Sequence, residues 1–337
     1  MFPPFGNFLW DSPDKITSRR SGQNAQRVIE CKYAAAAKGE IKTKGALCDL
    51  VDRGIFPRSA SFERITAGAG GAALYAAGGV GVDCVVKISS QSREYDFYRL
   101  NQALKLPFAP PVLYMEKSPE YGCILVMEKF KAIDHSGWNP ALQREAVDLC
   151  ARLNSLDGAL FPGLKRDFLA IDPRAAESAR RSWMEVISRH GGRFDEALLT
   201  AIHARLDQAA ALLNTGPLSP CHGDFHPDNL VTDGKRLYLI DWENLHMGKG
   251  AGEISFFISR GRDFGISMDE GALFAHYARR LSVYTGKAVS VEQLMKEHSA
   301  SSLLTAFLYW AEYLKDAPYE RVEGIFCQMA QAARALC

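Results

Sequence analysis

Two carboxylates and one amide stand close together in the second half of the sequence. Asp224 lies five residues before Asn229 in the run HGDFHPDN, and Asp241 follows in the run IDWE. Phosphoryl transfer from a nucleotide uses such a set, because one carboxylate accepts the acceptor's hydroxyl proton while an amide and another carboxylate hold metal on the phosphates. The residues therefore indicate phosphoryl transfer, with Asp224 as the base or orienting carboxylate and Asn229 and Asp241 as Mg²⁺ ligands.

The spacing His-x-Asp-x-x-x-x-Asn is that of the protein-kinase catalytic loop, with Gly223 where those enzymes have arginine. The fuller pattern H-G-D-x-H-P-x-N resembles the aminoglycoside phosphotransferase and choline kinase family of small-molecule kinases. The resemblance covers roughly Ser61 to the C-terminus. It implies that His222 braces the loop, and that His226 lies nearer the chemistry and positions phosphate or the loop backbone.

These two histidines, together with Cys221, also have the residue types of a transition-metal site. A histidine pair at i and i+4 converges on one ion only within a helix. Gly223 and Pro227 lie in the same stretch and indicate a loop. We therefore interpret His222 and His226 as loop residues.

Lys87 lies in the apolar run VVKI, which resembles the strand whose lysine contacts the α- and β-phosphates of a nucleotide. A lysine in an apolar strand is costly unless a carboxylate pairs with it. Glu94, early in the next predicted helix, is the natural partner, and its run EYDFY resembles that of ecdysteroid-kinase-like relatives. Only seven residues separate Lys87 from Glu94, which is short for a lysine–glutamate pair of this kind. The alternative for Glu94 is a solvated residue in the first turn of the helix, where the helix dipole favours a negative charge.

A glycine cluster precedes Lys87 by about twenty residues and includes Gly68, Gly70 and Gly71. It lies between two predicted strands, as a loop that covers phosphates would. It matches neither G-x-G-x-x-G nor a Walker A loop, and glycine-rich turns between strands are common without any function. Its position before the lysine strand favours nucleotide binding.

The run Glu128-Lys-Phe130 closes the last strand predicted for this part of the chain. The family resemblance implies that the two lobes join there and that Glu128 and Phe130 belong to the adenine site. Backbone groups make such contacts, so the side chains do not identify the individual bonds.

The hydrophobic period predicts the elements that position these residues. It predicts strands at Ser61–Thr66, Ala72–Ala76 and Asp83–Ile88, a helix at Arg93–Lys105, and strands at Val112–Glu116 and Cys123–Glu128. Helices are then predicted at Leu142–Leu156, Arg174–His190, Asp195–Leu213, Met268–Tyr284, Ser301–Leu314 and Val322–Leu336. This order predicts an α+β, bilobal protein-kinase-like fold, with a small β-rich N-lobe containing one helix and a larger, mostly helical C-lobe. The predicted domains are a partly irregular extension (1–60), a nucleotide-binding N-lobe (61–130) and a C-lobe with the catalytic loop and acceptor site (131–337).

One β segment interrupts the helical half. Two apolar runs between residues 230 and 240 are joined through Asp233-Gly234, a strong signal for a two-residue hairpin turn in which both central φ angles are positive. Such a hairpin would return Asp241 to the side of Asn229, where both could bind one ion.

Two further regions depart from the family pattern. In the extension, apolar residues at helical spacing predict a helix at 44–53 that packs on the following lobe, and a partner-binding role for residues 1–60 is the alternative. In the C-lobe, Asn154 stands where relatives often carry histidine, and Glu253 replaces a buried aspartate as a brace.

Composition restricts the partners. Lys and Arg total 40 and Asp and Glu total 39, a net charge of +1, so no overall field indicates a nucleic acid or membrane partner. No apolar run approaches the ~20 residues that a membrane helix needs. The eight cysteines form no C-x-x-C pair, which favours reduced thiols in a cytoplasmic protein.

The predicted reaction moves the γ-phosphoryl group of ATP, with Mg²⁺, to a hydroxyl of a small molecule such as an aminoglycoside, a choline-like amine or a sugar. A protein kinase is one alternative, although no A-P-E segment is present. A catalytically silent pseudokinase that binds nucleotide or a partner is the other, although Lys87, Asp224, Asn229 and Asp241 are all present. Cationic acceptors would need acidic walls, and the candidates, which are more often solvated surface, are Asp263, Asp269, Glu270, Glu312 and Asp316.

Overall fold

The computed structural model of the chain describes residues 42–65, 72–79, 81–164 and 171–336. It divides into two units, Met1–Lys131 and Ala132–Cys337. The predicted glycine loop at Gly68, Gly70 and Gly71 lies outside the described residues, as does the N-terminal extension before residue 42.

The first unit contains two helices and five strands in its described part, in the order that the sequence predicts. They are α1 (42–52), β1 (Ser61–Ile65), β2 (Ala73–Gly79), β3 (Val82–Ser89), α2 (Arg93–Leu104), β4 (Val112–Ser118) and β5 (Gly122–Glu128). The sheet order is β1-β2-β3-β5-β4, and all neighbouring strands are antiparallel. Strand β3, which carries Lys87, is therefore the central strand.

Helix α1 packs on this sheet through the apolar face that the sequence predicts. Ala46, Leu47 and Leu50 are buried in one cluster with Tyr75 and Val86 of the sheet. The alternative of a partner-binding extension is not needed to explain this face, because the sheet of the same unit covers it.

The second unit is mostly helical, and the chain reaches it through β6 (Lys131–Ala132). Its helices and strands are α3 (Pro140–Asn154), α4 (Pro173–Ser188), α5 (Glu196–His203), α6 (Leu206–Asn214), β7 (Ser219–Cys221), β8 (Leu230–Thr232), β9 (Leu237–Leu239), β10 (His246–Gly248), α7 (Gly250–Asp263), α8 (Glu270–Thr285), α9 (Val291–Tyr309) and α10 (Tyr319–Ala335). Helices α4, α5, α6, α9 and α10 enclose a core around Trp183, whose indole N–H donates to the carbonyl of Phe307 at 2.9 Å. No helix among the described residues is long and apolar enough to cross a membrane.

Two helix predictions are wrong in detail. The predicted helix at Asp195–Leu213 is two helices, because the N–H of Arg205 bonds to the carbonyl of Ile202 rather than to residue 201. The predicted helix at Ser301–Leu314 instead begins at Val291, where the Ser290 hydroxyl caps the N–H of Gln293. The pair Ser290 and Gln293 is a capping-box pattern that would have predicted this start.

Helix α7 was not predicted, and its first residues lie in a run with glycines at 248, 250 and 252. The structure explains Gly250 by close packing: a Cβ there would lie 1.9 Å from the Tyr277 hydroxyl and 2.5 Å from Oδ1 of Asn154. The glycine lets the start of α7 approach α3 and α8. This helix positions residues of the loop between β7 and β8.

The predicted hairpin is present, but its turn differs from the prediction. Thr232 pairs with Leu237, so four residues form the loop, and only Gly234 has a positive φ, +87°. Oδ1 of Asp233 accepts the N–H groups of Lys235 at 2.8 Å and Arg236 at 3.0 Å. The Asp233 side chain thus stabilises a four-residue loop in which Asp233 itself keeps a negative φ, in place of the predicted two-residue turn.

We predict that Gly250→Ala destabilises the protein by about 1–3 kcal/mol, because the methyl group must displace a buried hydroxyl and amide. Gly324→Ala is the matched control, since nothing lies within 4 Å of its Cβ position in α10. It should stabilise the protein by about 0.5–1 kcal/mol. Urea denaturation measures both, and equal effects of the two variants would contradict the packing role of Gly250.

Candidate functional site

The loop between β7 and β8 carries the predicted catalytic residues, and a carboxylate from α7 holds its backbone. Glu253 is buried, and its two oxygens accept the N–H groups of His222 at 2.7 Å and Gly223 at 2.9 Å. Without the Glu253 carboxylate, these two N–H groups would lose their hydrogen-bond acceptors in a largely buried segment, which is costly. The sequence predicted Glu253 as a brace, and the structure shows which atoms it holds.

His222 is fully buried and ties the loop to the end of the hairpin. Its Nε2 lies 3.0 Å from the carbonyl oxygen of Ile240, and its Nδ1 accepts the N–H of Asp224 at 3.3 Å. A carbonyl only accepts and an N–H only donates, so the network assigns the proton to Nε2 of a neutral ring. Burial lowers the pKa of His222, which keeps the ring neutral.

Gly223 can be replaced by no other residue without a shift of the backbone. Its φ is +84°, and a Cβ would lie 2.2 Å from the carbonyl oxygen of Asn244. The arginine of protein kinases at this place therefore has no room in this loop. The close approach joins the loop to the segment that follows Asp241.

Asp224 and Asn229 are in direct contact. Nδ2 of Asn229 donates to the carbonyl oxygen of Asp224 at 2.9 Å and to its Oδ2 at 3.0 Å. Burial would raise the pKa of Asp224, but the interaction with His226 and the hydrogen bond from the Asn229 amide outweigh it, so the pKa is lowered. Asp224 is therefore ionised at neutral pH, and its side chain is 25% exposed.

His226 flanks the same carboxylate. Its Nδ1 accepts the N–H of Asp228 at 3.3 Å, and its Nε2 lies 3.5 Å from Oδ2 of Asp224. The ring also packs edge-on against Phe256 of α7, with 5.7 Å between centroids. The structure thus places His226 beside the proposed base, and a role toward phosphate stays a prediction.

The hairpin brings the predicted metal ligands to neighbouring positions. The N–H of Ile240 donates to the carbonyl oxygen of Asn229 at 3.0 Å, so Asp241 is one residue from this contact. Asp241 has φ +67° and ψ +63°, a conformation that a non-glycine residue adopts at a cost of order 1–3 kcal/mol. Trp242 is buried and its indole N–H donates to the carbonyl of Leu239, so it packs in the core.

Asn154, which replaces a histidine of relatives, is a buried connector. Its Nδ2 donates to the carbonyl oxygen of Pro220 at 2.7 Å, next to the catalytic loop. Its Oδ1 accepts the Tyr277 hydroxyl at 2.8 Å and the Cys150 thiol at 3.3 Å. The amide therefore joins α3, α8 and the end of β7.

In the first unit, the structure pairs Lys87 with Glu94. Nζ of Lys87 lies 2.6 Å from Oε2 of Glu94, and the side chains are 10% and 3% exposed. On α2, the buried residues Glu94, Phe97 and Tyr98 share one face, which accounts for the spacing of the EYDFY run. Glu94 is thus a buried partner and not a solvated first-turn residue.

Glu128, the first residue of the predicted adenine site, is the last residue of β5. The N–H of Glu128 already donates to the carbonyl oxygen of Pro111 at 3.1 Å. Adenine contacts at Glu128 would therefore use other atoms of this residue. The contacts of Glu128 and Phe130 with a nucleotide stay predictions.

The five acidic residues considered for a cationic acceptor all have partners within the second unit. Asp269 caps the N–H of Ala272, and the other four form ion pairs at 2.6–3.6 Å. Those pairs are Asp263 with Arg260, Glu270 with Arg262, Glu312 with Lys315 and Asp316 with Arg189. No separate acidic wall is evident among these five side chains.

Sequence reasoning missed Asp228, His135 and Arg260 near the catalytic loop. Nε2 of His135 lies 2.8 Å from Oδ1 of Asp228, although 93 positions separate them in the sequence. Arg260 lies on α7, the helix that was not predicted. Of these three residues, Asp228 could have been found from the sequence, because it lies within the HGDFHPDN run.

The chain resembles known proteins in both sequence and fold. Residues 61–286 match the phosphotransferase enzyme family, and no curated protein matches the chain. A spectinomycin phosphotransferase solved with ADP and spectinomycin aligns with a TM-score of 0.56 and 14% identity, over 87% of this chain and 98% of that one.

Two other solved structures share the fold. An aminoglycoside 2'-phosphotransferase solved with GDP has a TM-score of 0.54 and 14% identity, over 84% of this chain and 94% of its own. A choline kinase from Cryptosporidium parvum has a TM-score of 0.53 and 13% identity, over 82% and 89%. At these identities the likeness shows the fold alone, and it confirms the predicted kinase-like class.

We predict that Lys87→Met lowers the stability of the first unit by about 3–5 kcal/mol, because Glu94 would keep a buried charge without its partner. The double variant Lys87→Met/Glu94→Leu should recover most of this loss, since an apolar pair of similar volume replaces the ion pair. Urea denaturation of wild type, both single variants and the double variant measures the coupling. Additive losses in the double variant would contradict it.

We predict that Glu253→Gln costs about 2–4 kcal/mol, because one of two buried N–H groups would face an NH₂ group instead of an acceptor. Glu292→Gln is the control, since Glu292 is exposed and pairs only with Lys296 four residues on. Thermal and urea unfolding of both variants test this. A control-sized effect for Glu253→Gln would mean that the carboxylate does not hold the loop.

Proposed function

Because the chain belongs to the phosphotransferase enzyme family, we propose that it transfers the γ-phosphoryl group of ATP, with Mg²⁺, to a hydroxyl group of a small molecule. The contact that supports this most directly is the one between Nδ2 of Asn229 and Oδ2 of Asp224, at 3.0 Å. It fixes the proposed base beside the proposed metal ligand. Fold likeness to kinases solved with ADP or GDP agrees with the use of a nucleotide.

In the proposed step, an oxygen of the acceptor hydroxyl attacks the γ-phosphorus. The bond from that phosphorus to the bridging oxygen of the β-phosphate breaks, and ADP leaves with the electron pair. The hydroxyl proton passes to Asp224 and then to solvent. A carboxylate with a lowered pKa is a weak base, so it accepts the proton late, when the hydroxyl has become acidic.

The donor set of the proposed metal site suits Mg²⁺. Asp224 engages the amide nitrogen of Asn229, so Oδ1 is the amide atom left for a cation. The carboxylate of Asp241 would be the other hard oxygen ligand. When bound, Mg²⁺ would neutralise charge on the phosphates, and these residues would hold it in place.

The remaining proposed roles orient the substrates. Lys87, held by Glu94 at 2.6 Å, would contact nucleotide phosphates, and the Glu128–Phe130 run would contact adenine. His226 would keep Asp224 ionised and oriented. Gly68, Gly70 and Gly71 would cover the phosphates through their backbone.

The acceptor is proposed to be a small molecule because the relatives with the same fold are phosphotransferases and kinases named for small molecules. We also propose that the protein works in the cytoplasm. No disulfide joins cysteines in the part of the chain that the structure describes, and disulfides are rare in that compartment.

We predict that Asp224→Asn lowers kcat for acceptor phosphorylation by about 10²–10⁴-fold, because the amide cannot accept the hydroxyl proton. Affinity for Mg-ATP should stay unchanged, because Asp224 is not a proposed nucleotide ligand. Asp207→Asn, on the exposed side of α6, is the control and should keep full activity.

The assay follows ADP release and phosphorylated product with a panel of sugars, amino alcohols and aminoglycosides, with and without EDTA. Full activity of Asp224→Asn would show that the base is elsewhere. Binding of ATP without transfer to any small molecule would favour a silent pseudokinase, and transfer only to a bulk protein substrate would favour a protein kinase.

A further inference from the structure

Helices α3 and α8 form a charged groove in the second unit. Its volume is about 460 Å³, within the range of small-molecule pockets, about 300–1,000 Å³. The residues that line it are all charged or titratable and lie at helical spacing on the two helices: Arg144, Glu145, Asp148, His276, Arg279 and Arg280. None of them has a role in the proposed reaction, so that reaction leaves the chemistry of this α3–α8 groove unexplained.

The two carboxylates of the α3–α8 groove already have partners. Oδ1 of Asp148 pairs with the Arg280 guanidinium, and both Asp148 oxygens lie 3.0 Å from the Tyr284 hydroxyl. Arg280 also donates to that hydroxyl at 2.6 Å, which closes the network. Oε1 of Glu145 accepts the N–H of Leu237, the first residue of β9, at 3.2 Å. One arginine of the groove is therefore neutralised by a direct ion pair.

The other two arginines, Arg144 and Arg279, have no such pair. Both are exposed, and neither side chain forms an ion pair with a carboxylate in the part of the chain that the structure describes. The Arg279 guanidinium instead donates to Nδ1 of His276 at 2.8 Å. Since both arginines line the groove, two guanidinium groups offer N–H donors to a ligand there.

His276 adds a buried donor to the same groove. An arginine only donates, so Nδ1 of His276 accepts, and the contact assigns the proton of a neutral ring to Nε2. Burial lowers the pKa of His276 and the charge of Arg279 lowers it further, which keeps the ring neutral. Nε2 is buried and has no hydrogen-bond partner among the described residues. A buried N–H without an acceptor is costly, so this group indicates a ligand atom that accepts.

We propose that the α3–α8 groove binds a phosphate group, either as free phosphate or on a small phosphomonoester. The donors belong to three separate side chains, Arg144, Arg279 and His276, and a phosphate has three acceptor oxygens where a carboxylate has two. Guanidinium groups match phosphate geometry through paired N–H donors. An ammonium group would face the same two guanidinium groups and would offer no acceptor to Nε2–H.

The test measures ligand binding to the full chain by calorimetry, in a buffer without phosphate and at constant ionic strength. The phosphate probes are inorganic phosphate, glycerol 3-phosphate and glucose 6-phosphate. Acetate is the carboxylate reference, and glycerol and glucose are the neutral references. Each titration is repeated with saturating Mg-ADP, which separates the groove from the proposed nucleotide site.

Wild type should bind inorganic phosphate at least about 10-fold more tightly than acetate, and Mg-ADP should not change that affinity. Arg144→Gln and Arg279→Gln should each weaken phosphate binding by about 10–100-fold, because each removes charge-assisted hydrogen bonds. Arg152→Gln is the matched control, since Arg152 is exposed on the same helix α3 and does not line the groove. It should match wild type.

The phosphate probes also distinguish the two sources of the group. Tighter binding of a phosphomonoester than of free phosphate would identify a phosphorylated metabolite as the ligand. Equal affinities for the esters and for inorganic phosphate would identify free phosphate. Either result supports the groove as a phosphate site, provided that Arg144→Gln weakens the binding.

NMR of the histidine rings gives a second measurement, made on wild type without any change to the arginines. Phosphate should shift the Nε2–H resonance of His276, which is assigned by its loss in His276→Gln. The same addition should leave that resonance unchanged in the double variant Arg144→Gln/Arg279→Gln. Circular dichroism shows that each variant is folded, and if one is not, the wild-type spectrum decides.

Four results would overturn the inference. Wild type binds acetate as tightly as phosphate, or Mg-ADP abolishes phosphate binding, which would place the phosphate at the nucleotide site. Alternatively, Arg144→Gln has no larger effect than Arg152→Gln, or saturating phosphate leaves the His276 Nε2–H resonance where it was. All four measurements are independent of phosphotransfer, so the proposed function and this site can fail separately.

Discussion

The whole catalytic loop depends on one buried carboxylate and two backbone N–H groups. Glu253 accepts from His222 and Gly223, and the loop cannot keep its course without an acceptor at that place. The positions of Asp224 and Asn229 depend on the course of this loop. The ring of His222 links the loop to the carbonyl oxygen of Ile240, which is the residue before Asp241. One helix side chain thus fixes both the proposed base and a proposed metal ligand.

Helix α7 depends on a close approach at its first residue. A Cβ at Gly250 would collide with the Tyr277 hydroxyl and with Oδ1 of Asn154, so the glycine lets the helix begin close to α3 and α8. Glu253, three residues further on, holds the loop between β7 and β8. Packing at the start of α7 is therefore coupled to the course of that loop.

How far the sequence predicts the site depends on the range of each interaction. Asp224 and Asn229 are five positions apart in one loop, so their spacing alone placed them in one candidate site, and the structure adds the contact between them. The fold class followed from the order of strands and helices and is confirmed. By contrast, His135 meets Asp228 across 93 positions, and no local pattern encodes such a pair. The turn at Asp233 was mispredicted because hydrogen bonds of the Asp233 side chain stabilise a four-residue loop in which only Gly234 has a positive φ.

Glycine was the least reliable signal. In α7 it permits helix packing, at Gly223 it permits a positive φ beside Asn244, and at Gly234 it completes a turn. The same residue type has three physical causes here, and the sequence alone does not separate them. Tertiary contacts decide which cause applies.

The most direct measurement of the central claim follows oxygen-18 from the γ-phosphoryl group of labelled ATP. The protein, Mg²⁺ and a mixture of small hydroxylated compounds are incubated, and mass spectrometry locates the label. The account predicts labelled phosphate ester on a small molecule with wild type, and none with Asp224→Asn. Label found only in inorganic phosphate or on polypeptide, or equal labelling by both proteins, would contradict it.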